Sequence, residues 1–173
     1  MKITKWYSKE ECKNLIEPFI KKFDEDSLTV KDTTLFFKAL YGAMCISYEE
    51  EEDEEKQEIW ENMKSDMDEF GTSAYCIEIR ENNGQYIIKI KPDGITMGEY
   101  EGEYDPSSIT DVKNVIWIDW TPACQLKIMY GNPNTTPEFF SGDCTVKGST
   151  KLGAKPRGWI YDLFAFIERE AKA

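Results

Sequence analysis

The stretch Asn114 to Gly148, NVIWIDWTPACQLKIMYGNPNTTPEFFSGDCTVKG, decides the fold. It opens with Val115-Ile116-Trp117-Ile118-Asp119-Trp120, a run of β-branched and aromatic residues that reads as a strand. Thr121-Pro122 then begins a short helix, because threonine caps free amides and proline tolerates the first helical position. Gly131 ends that helix, as the residue that adopts positive φ at least cost. Asn132-Pro133-Asn134 turns, Pro137-Glu138-Phe139-Phe140 makes one more helical turn, Ser141-Gly142-Asp143 turns again, and Cys144 to Lys147 returns as a strand ending at Gly148. Together these pieces predict one wall of an apolar cavity.

Upstream of this stretch the period is two. Tyr75 to Arg80 alternates, Asn83-Gly84 signals a hairpin, Gln85 to Lys91 is its partner, and Pro92-Asp93-Gly94 leads into a third strand over residues 95–103. This meander is expected to have one greasy and one wet face. Residues 105–113, with Pro106 and two serines, read as a polar surface link.

The first seventy residues read as helical. Ser8 to Glu11 has the form of a capping box, and Leu15, Ile16, Phe19, Ile20 and Phe23 follow at helical spacing, predicting one helix to about Phe23. A second helix starts at Thr29 or Lys31 and runs to about Tyr48, with Phe36, Phe37, Leu40 and Met44 on its apolar face. A third covers residues 54–70 with Ile59, Trp60, Met63, Met67 and Phe70 on one side, and Gly71 stops it. Between them EEEEDEE, residues 49–55, reads as a solvated run of like charge rather than a calcium loop, since it lacks the glycine such a turn needs. At the other end Ile160, Leu163, Phe164 and Ile167 recur at i, i+3, i+4, i+7, and Trp159 and Phe166 widen the apolar arc. That excess must be buried against helices, a ligand or a partner.

The chain carries 33 acidic and 21 basic side chains, a net charge of −12. Residues 1–70 hold 19 of the acids and 10 of the bases. Such a chain is a poor partner for phosphate backbones, and at most a transient one for anionic bilayers. Histidine is absent, which excludes histidine triads and HExxH zinc sites. No GxGxxG, GxxxxGK[ST] or GxSxG occurs, so no cofactor or metal is expected. Five cysteines without a CxxC, most of them in apolar patterns, predict buried thiols in a reducing compartment. MKITKWYSKEEC has no apolar core of a secretory leader, and Ala171-Lys172-Ala173 is not a peroxisomal address, so a cytoplasmic location is expected.

The order strand, short helix closed by Gly131, Asn132-Pro133, aromatic turn Phe139-Phe140, Gly142, Val146 and Gly148 resembles the sterol carrier protein type-two family. The resemblance covers about residues 75–167. Asn134-Thr135-Thr136 lengthens the turn, Lys113-Asn114-Val115 replaces an Asp-rich phrase, and the N-terminal helical part is longer than the family's. It implies an apolar ligand: a sterol, fatty acyl group or phospholipid.

The expected architecture is α+β: a five-stranded, mostly antiparallel sheet covered on one face by helices. It forms one domain over residues 1–173, with a helical part at 1–70 and a sheet with a C-terminal helix at 71–173. The expected activity is non-enzymatic carriage of an apolar ligand in a tunnel between sheet and helices. Its walls are Ile77, Ile79, Ile88, Ile90, Ile116, Ile118, Leu126, Met129, Phe139, Phe140, Leu163, Phe164 and Ile167. Lys151, Lys155 and Arg157 belong to the one basic cluster and are the candidates for meeting an anionic head group. Cavity wall and ordinary core share this composition, so a filled scaffold that docks a protein partner or a second copy through Trp6, Trp117, Trp120 or Trp159 is the alternative. An enzyme would have to use carboxylates such as Asp119, Glu138 and Asp143, whose separation sequence does not give.

Overall fold

The structure is a computed structural model that describes residues 1–50, 52–54 and 56–172. Two members of the expected acidic run, Glu51 and Glu55, lie outside the described residues. Among those described, six strands form one mixed sheet: β1 (Lys2–Trp6), β2 (Ser73–Ile79), β3 (Gln85–Lys91), β4 (Gly94–Glu101), β5 (Asn114–Trp120) and β6 (Cys144–Lys147). Their order is β1-β4-β3-β2-β5-β6. All neighbours pair antiparallel except β2 and β5, which run parallel from Ser73↔Asn114 to Ile79↔Trp120.

The count exceeds the expected five by β1. Its sequence, KITKW, has no clear alternation and is mostly exposed, so it becomes a strand only because the edge of β4 offers it hydrogen bonds. The hairpin also differs from the expected Asn-Gly turn. Glu81 and Asn82 take the left-handed conformation, at φ +62° and +60°, while Asn83 does not. The loop spans Arg80 to Gly84 and closes with Ile79 N–H donating to Gly84 O at 2.9 Å.

The helices are α1 (Lys9–Lys13), α2 (Ile16–Asp24), α3 (Thr33–Glu49), α4 (Glu58–Phe70), α5 (Pro122–Met129), α6 (Thr136–Ser141), α7 (Thr150–Gly153) and α8 (Lys155–Lys172). The single helix expected over residues 8–23 is broken between α1 and α2. Pro18 explains the break: in a continuous helix its ring would strike the carbonyl of Asn14, four residues back, whereas in the first turn of α2 it is tolerated. The Ser8 capping box does not form. One forms instead at Thr29, whose side chain and backbone engage Asp32 at the start of a short 3-10 turn before α3. α7 was not expected. Its four residues are capped by Ser149, whose hydroxyl accepts from Leu152 N–H at 3.2 Å.

α3 organises the helical layer. Eleven of its seventeen residues are buried, on every side of the helix, as expected of an element enclosed by others. It touches α1, α2, α4, α5, α8 and β4. Phe36, Phe37, Leu40 and Met44 meet the inner sheet residues Ile77, Ile79, Ile88, Ile90, Met97 and Ile116 in one core. Trp159 of α8 stands edge-on to Tyr75 of β2, their ring centres 4.8 Å apart.

The outer sheet face is not simply wet. Returning from β4 to lie parallel with β2, the chain must cross the back of the sheet, and residues 102–113 do so. Ile109 is buried there with Ala74, Cys76, Ile87, Tyr100 and Trp117 in a second, smaller apolar cluster. Asp111 pins the crossing by ion pairs to Lys89 at 2.8 Å and Lys91 at 3.3 Å. Lys89 and Lys91, on the sheet face expected to be wet, are thus the anchor of this strap, and they hold the Asp111 carboxyl below the usual aspartate range.

Candidate functional site

The helices over the sheet's β5–β6 end are short. α5, α6 and α7 have eight, six and four residues, with Pro133 buried in the turn between the first two. Thr121 caps α5 by accepting from Cys124 N–H at 3.2 Å, and Gly131 and Gly142 end α5 and α6 at φ +89° and +85°. Chain that turns this often cannot lay a continuous row of side chains on the sheet. A pocket of about 220 Å³ remains.

Its wall is apolar. β5 contributes Ile118 and Trp120, α5 Ile128, β6 Cys144 and Val146, and α8 Pro156 and Ile160. Thr135, Thr136 and Thr150 supply hydroxyls. Phe139 and Phe140 of α6 stand at the opening, 45% and 82% exposed. Burial pushes the Cys144 thiol up to about 11, so it lines the wall as a neutral group. Gly153 of α7 lies so close to Val146 that a Cβ there would fall 2.6 Å from the valine Cγ1. Glycine at this position is what lets α7 close one side.

A charged clasp holds the pocket's frame. Arg80 at the end of β2 donates two bonds to Asp119, at 2.7 and 3.0 Å, and further bonds to Gly142 O at 2.9 Å and Thr145 Oγ1 at 3.0 Å. Asp119 also accepts from Thr145 N–H at 3.0 Å. One ion pair therefore joins β2, β5, β6 and the end of α6. On the inner side Trp120 Nε1–H donates to Gln125 Oε1 at 2.8 Å, which fixes the indole against the pocket.

Of the thirteen wall residues expected from sequence, Ile118, Phe139 and Phe140 line this pocket. Ile77, Ile79, Ile88, Ile90, Ile116, Met129, Leu163 and Ile167 are buried in the core with α3 and α8, and Leu126 and Phe164 are partly buried against it. The apolar excess of the last helix is thus met chiefly by other helices. Sequence reasoning did not name Trp120, Ile128, Val146 or Ile160 as wall; each lies in an element it did identify, but apolar type alone does not tell wall from core.

The three cations separate. Lys151 pairs with Glu69 at 2.9 Å and Lys155 with Asp66 at 2.7 Å, both on α4, and both ammonium groups lie over the Phe70 ring. Arg157 alone faces the pocket. The carboxylates considered for catalysis are dispersed among local partners: Asp119 with Arg80, Glu138 with Lys127, and Asp143 accepting from Ser141 Oγ at 3.0 Å.

A second depression, about 1040 Å³ and open, runs beside the β2–β3 hairpin. Glu78, Glu99, Glu101 and Glu103 line it, and hydrated carboxylates make it a poor seat for an apolar molecule. No metal-ligating group of three or more acidic or cysteine side chains occurs among the described residues, and no helix among them is long and apolar enough to cross a membrane.

No protein-family model and no curated protein matches the chain. Solved structures that the chain resembles include the following two. Sterol Carrier Protein 2 from Yarrowia lipolytica, in its apo form, is 15% identical with a TM-score of 0.43, the match covering 72% of this chain and 91% of that one. The ubiquinone synthesis protein UbiJ-SCP2 is 13% identical with a TM-score of 0.36, over 53% of this chain and 67% of that one.

Proposed function

We propose that this protein binds a small apolar molecule in the pocket at the β5–β6 end of the sheet, without transforming it. The observation that carries this reading is the pocket itself. About 220 Å³ is bounded by Ile118, Trp120, Ile128, Val146 and Ile160, with two exposed phenylalanine rings at its opening. Each methylene moved from water into such a wall contributes about 0.8 kcal/mol. A chain of about eight carbons therefore gains about 6 kcal/mol before ordering costs, enough for reversible binding with no reacting group.

The test is an amide chemical-shift titration of the protein with decanol, paired with mass spectrometry of an organic extract of the purified protein. Binding here perturbs amides of β5, β6 and α5 to α8 and leaves those of α1 and α2 still. Val146→Trp, which fills the pocket from the sheet's edge strand, abolishes the perturbation while circular dichroism remains that of the wild type. Decanol that perturbs no pocket amide, with no apolar molecule in the extract, removes this reading. It would leave the alternative that the exposure of Phe140 favours, a protein partner docking on the α6 rings, which a single stoichiometric partner lost on Phe140→Ser would support.

A further inference from the structure

Resting on that reading, we infer that the ligand is a medium-chain carboxylate, whose single negative charge is met by Arg157 and whose chain is limited to roughly ten carbons. The charge follows from how the basic groups are used. The chain has three arginines and a large excess of acid. Arg80 is bound to Asp119 and Arg169 to Glu58. Arg157, in a chain with this excess of acid, has no carboxylate partner among the described residues. Its NH1 group donates only to two neutral oxygens, Asn134 Oδ1 at 3.3 Å and Thr136 Oγ1 at 3.2 Å. Those bonds hold the guanidinium at the pocket's rim while leaving its other donors for a planar, two-oxygen acceptor, the geometry a guanidinium matches best.

The surroundings agree. Among the pocket's lining residues Arg157 is the one charged group, and no acid competes for it. Lys151 and Lys155, neutralised by α4, add no second positive charge at the rim. One cation selects one anion: a carboxylate suits the site better than a doubly charged phosphate.

The length limit follows from volume. About 220 Å³ holds some seven groups of water or methylene size, at about 30 Å³ each, and the carboxyl end at the rim beside Arg157 adds about two or three more carbons. Pockets for larger organic ligands run from about 300 to 1,000 Å³. A rigid four-ring skeleton does not fit, and a long chain would leave its end in water across Phe140.

The experiment is isothermal titration calorimetry with decanoate, decanol, palmitate and decyl phosphate, each below its micelle concentration, against wild type, Arg157→Gln and Arg157→Lys. Expected are decanoate bound about tenfold more tightly than decanol, palmitate no tighter than decanoate, and decyl phosphate no tighter than decanoate. Arg157→Gln should erase the acid-over-alcohol preference without lowering decanol affinity, and Arg157→Lys should keep part of it. Equal binding of acid and alcohol by wild type, or a preference that survives Arg157→Gln, overturns the head-group assignment while decanol binding still upholds the pocket. Palmitate tighter than decanoate overturns the length limit, and decyl phosphate tighter than decanoate overturns the carboxylate. Failure of all four ligands removes the proposed function as well.

Discussion

The centre of the sheet and its β5–β6 end have the same kind of inner surface yet opposite outcomes. Over β2, β3 and β4 the cover is α3 and α8, long helices whose side chains pack with Ile77, Ile79, Ile88 and Ile90 in one filled core. Over β5 and β6 the cover is three short helices separated by turns, and Ile118 and Val146 face open volume. Composition does not distinguish the two regions. The length of the covering element does, because close packing needs many adjacent rows that can interdigitate.

The largest effect should separate them directly. Phe36→Ala, in the filled centre, should destabilise by about 3–5 kcal/mol, read from urea unfolding. Phe140→Ala, at the open end, should change stability by less than about 0.5 kcal/mol. Comparable losses at both sites would mean that the α6 rings are part of the core. A middle-sized effect tests the frame of the open end. Asp119→Asn leaves the Arg80 guanidinium without its anion and should cost about 2 kcal/mol, with amide exchange quickening at Thr145 while amides of α3 stay protected. Uniform loss of protection would show that the clasp serves the whole sheet. The smallest effect concerns the strap on the outer face. Asp111 has its folded-state pKa lowered by Lys89 and then Lys91, so its contribution is complete above the ordinary aspartate value, about 3.9, and is lost as pH falls through the lower folded value. Asp111→Asn should cost less than about 1 kcal/mol at pH 7 and should flatten this part of the acid dependence of stability. An unchanged acid profile would assign that dependence to other carboxylates.

Features written in a few adjacent residues were legible. Thr121-Pro122, Gly131, Gly142 and the alternation of Tyr75 to Arg80 each state a local backbone preference, and the elements from β5 to β6 follow them. Features decided by distant partners were not. Nothing in KITKW asks for a strand; β4 supplies the reason. The strap over Cys76 and Ile87 follows from β5 lying parallel to β2, which no single segment encodes. In the candidate site, Leu163 and Ile160 look alike on the helix, and only the tertiary packing puts one wholly in the core and the other also against the pocket. Likewise Lys155 and Arg157 are two residues apart, and their difference lies in Asp66, ninety residues away on α4. The one local signal overlooked was Pro18, which forbids the long first helix on its own.

The pairing of Lys2 with Glu101 joins the edge strand β1 to its neighbour β4 across about a hundred residues of chain. During synthesis, β1 emerges well before its partner: its place in the ladder does not exist until β4 has left the ribosome. Contacts of such long range are slow to form, because the loop they close must be ordered before it is rewarded. In that interval Ile3 and Trp6 are exposed next to an amphipathic α2, and the lysines at positions 2 and 5 are what keep a waiting edge strand from pairing with a neighbouring nascent chain.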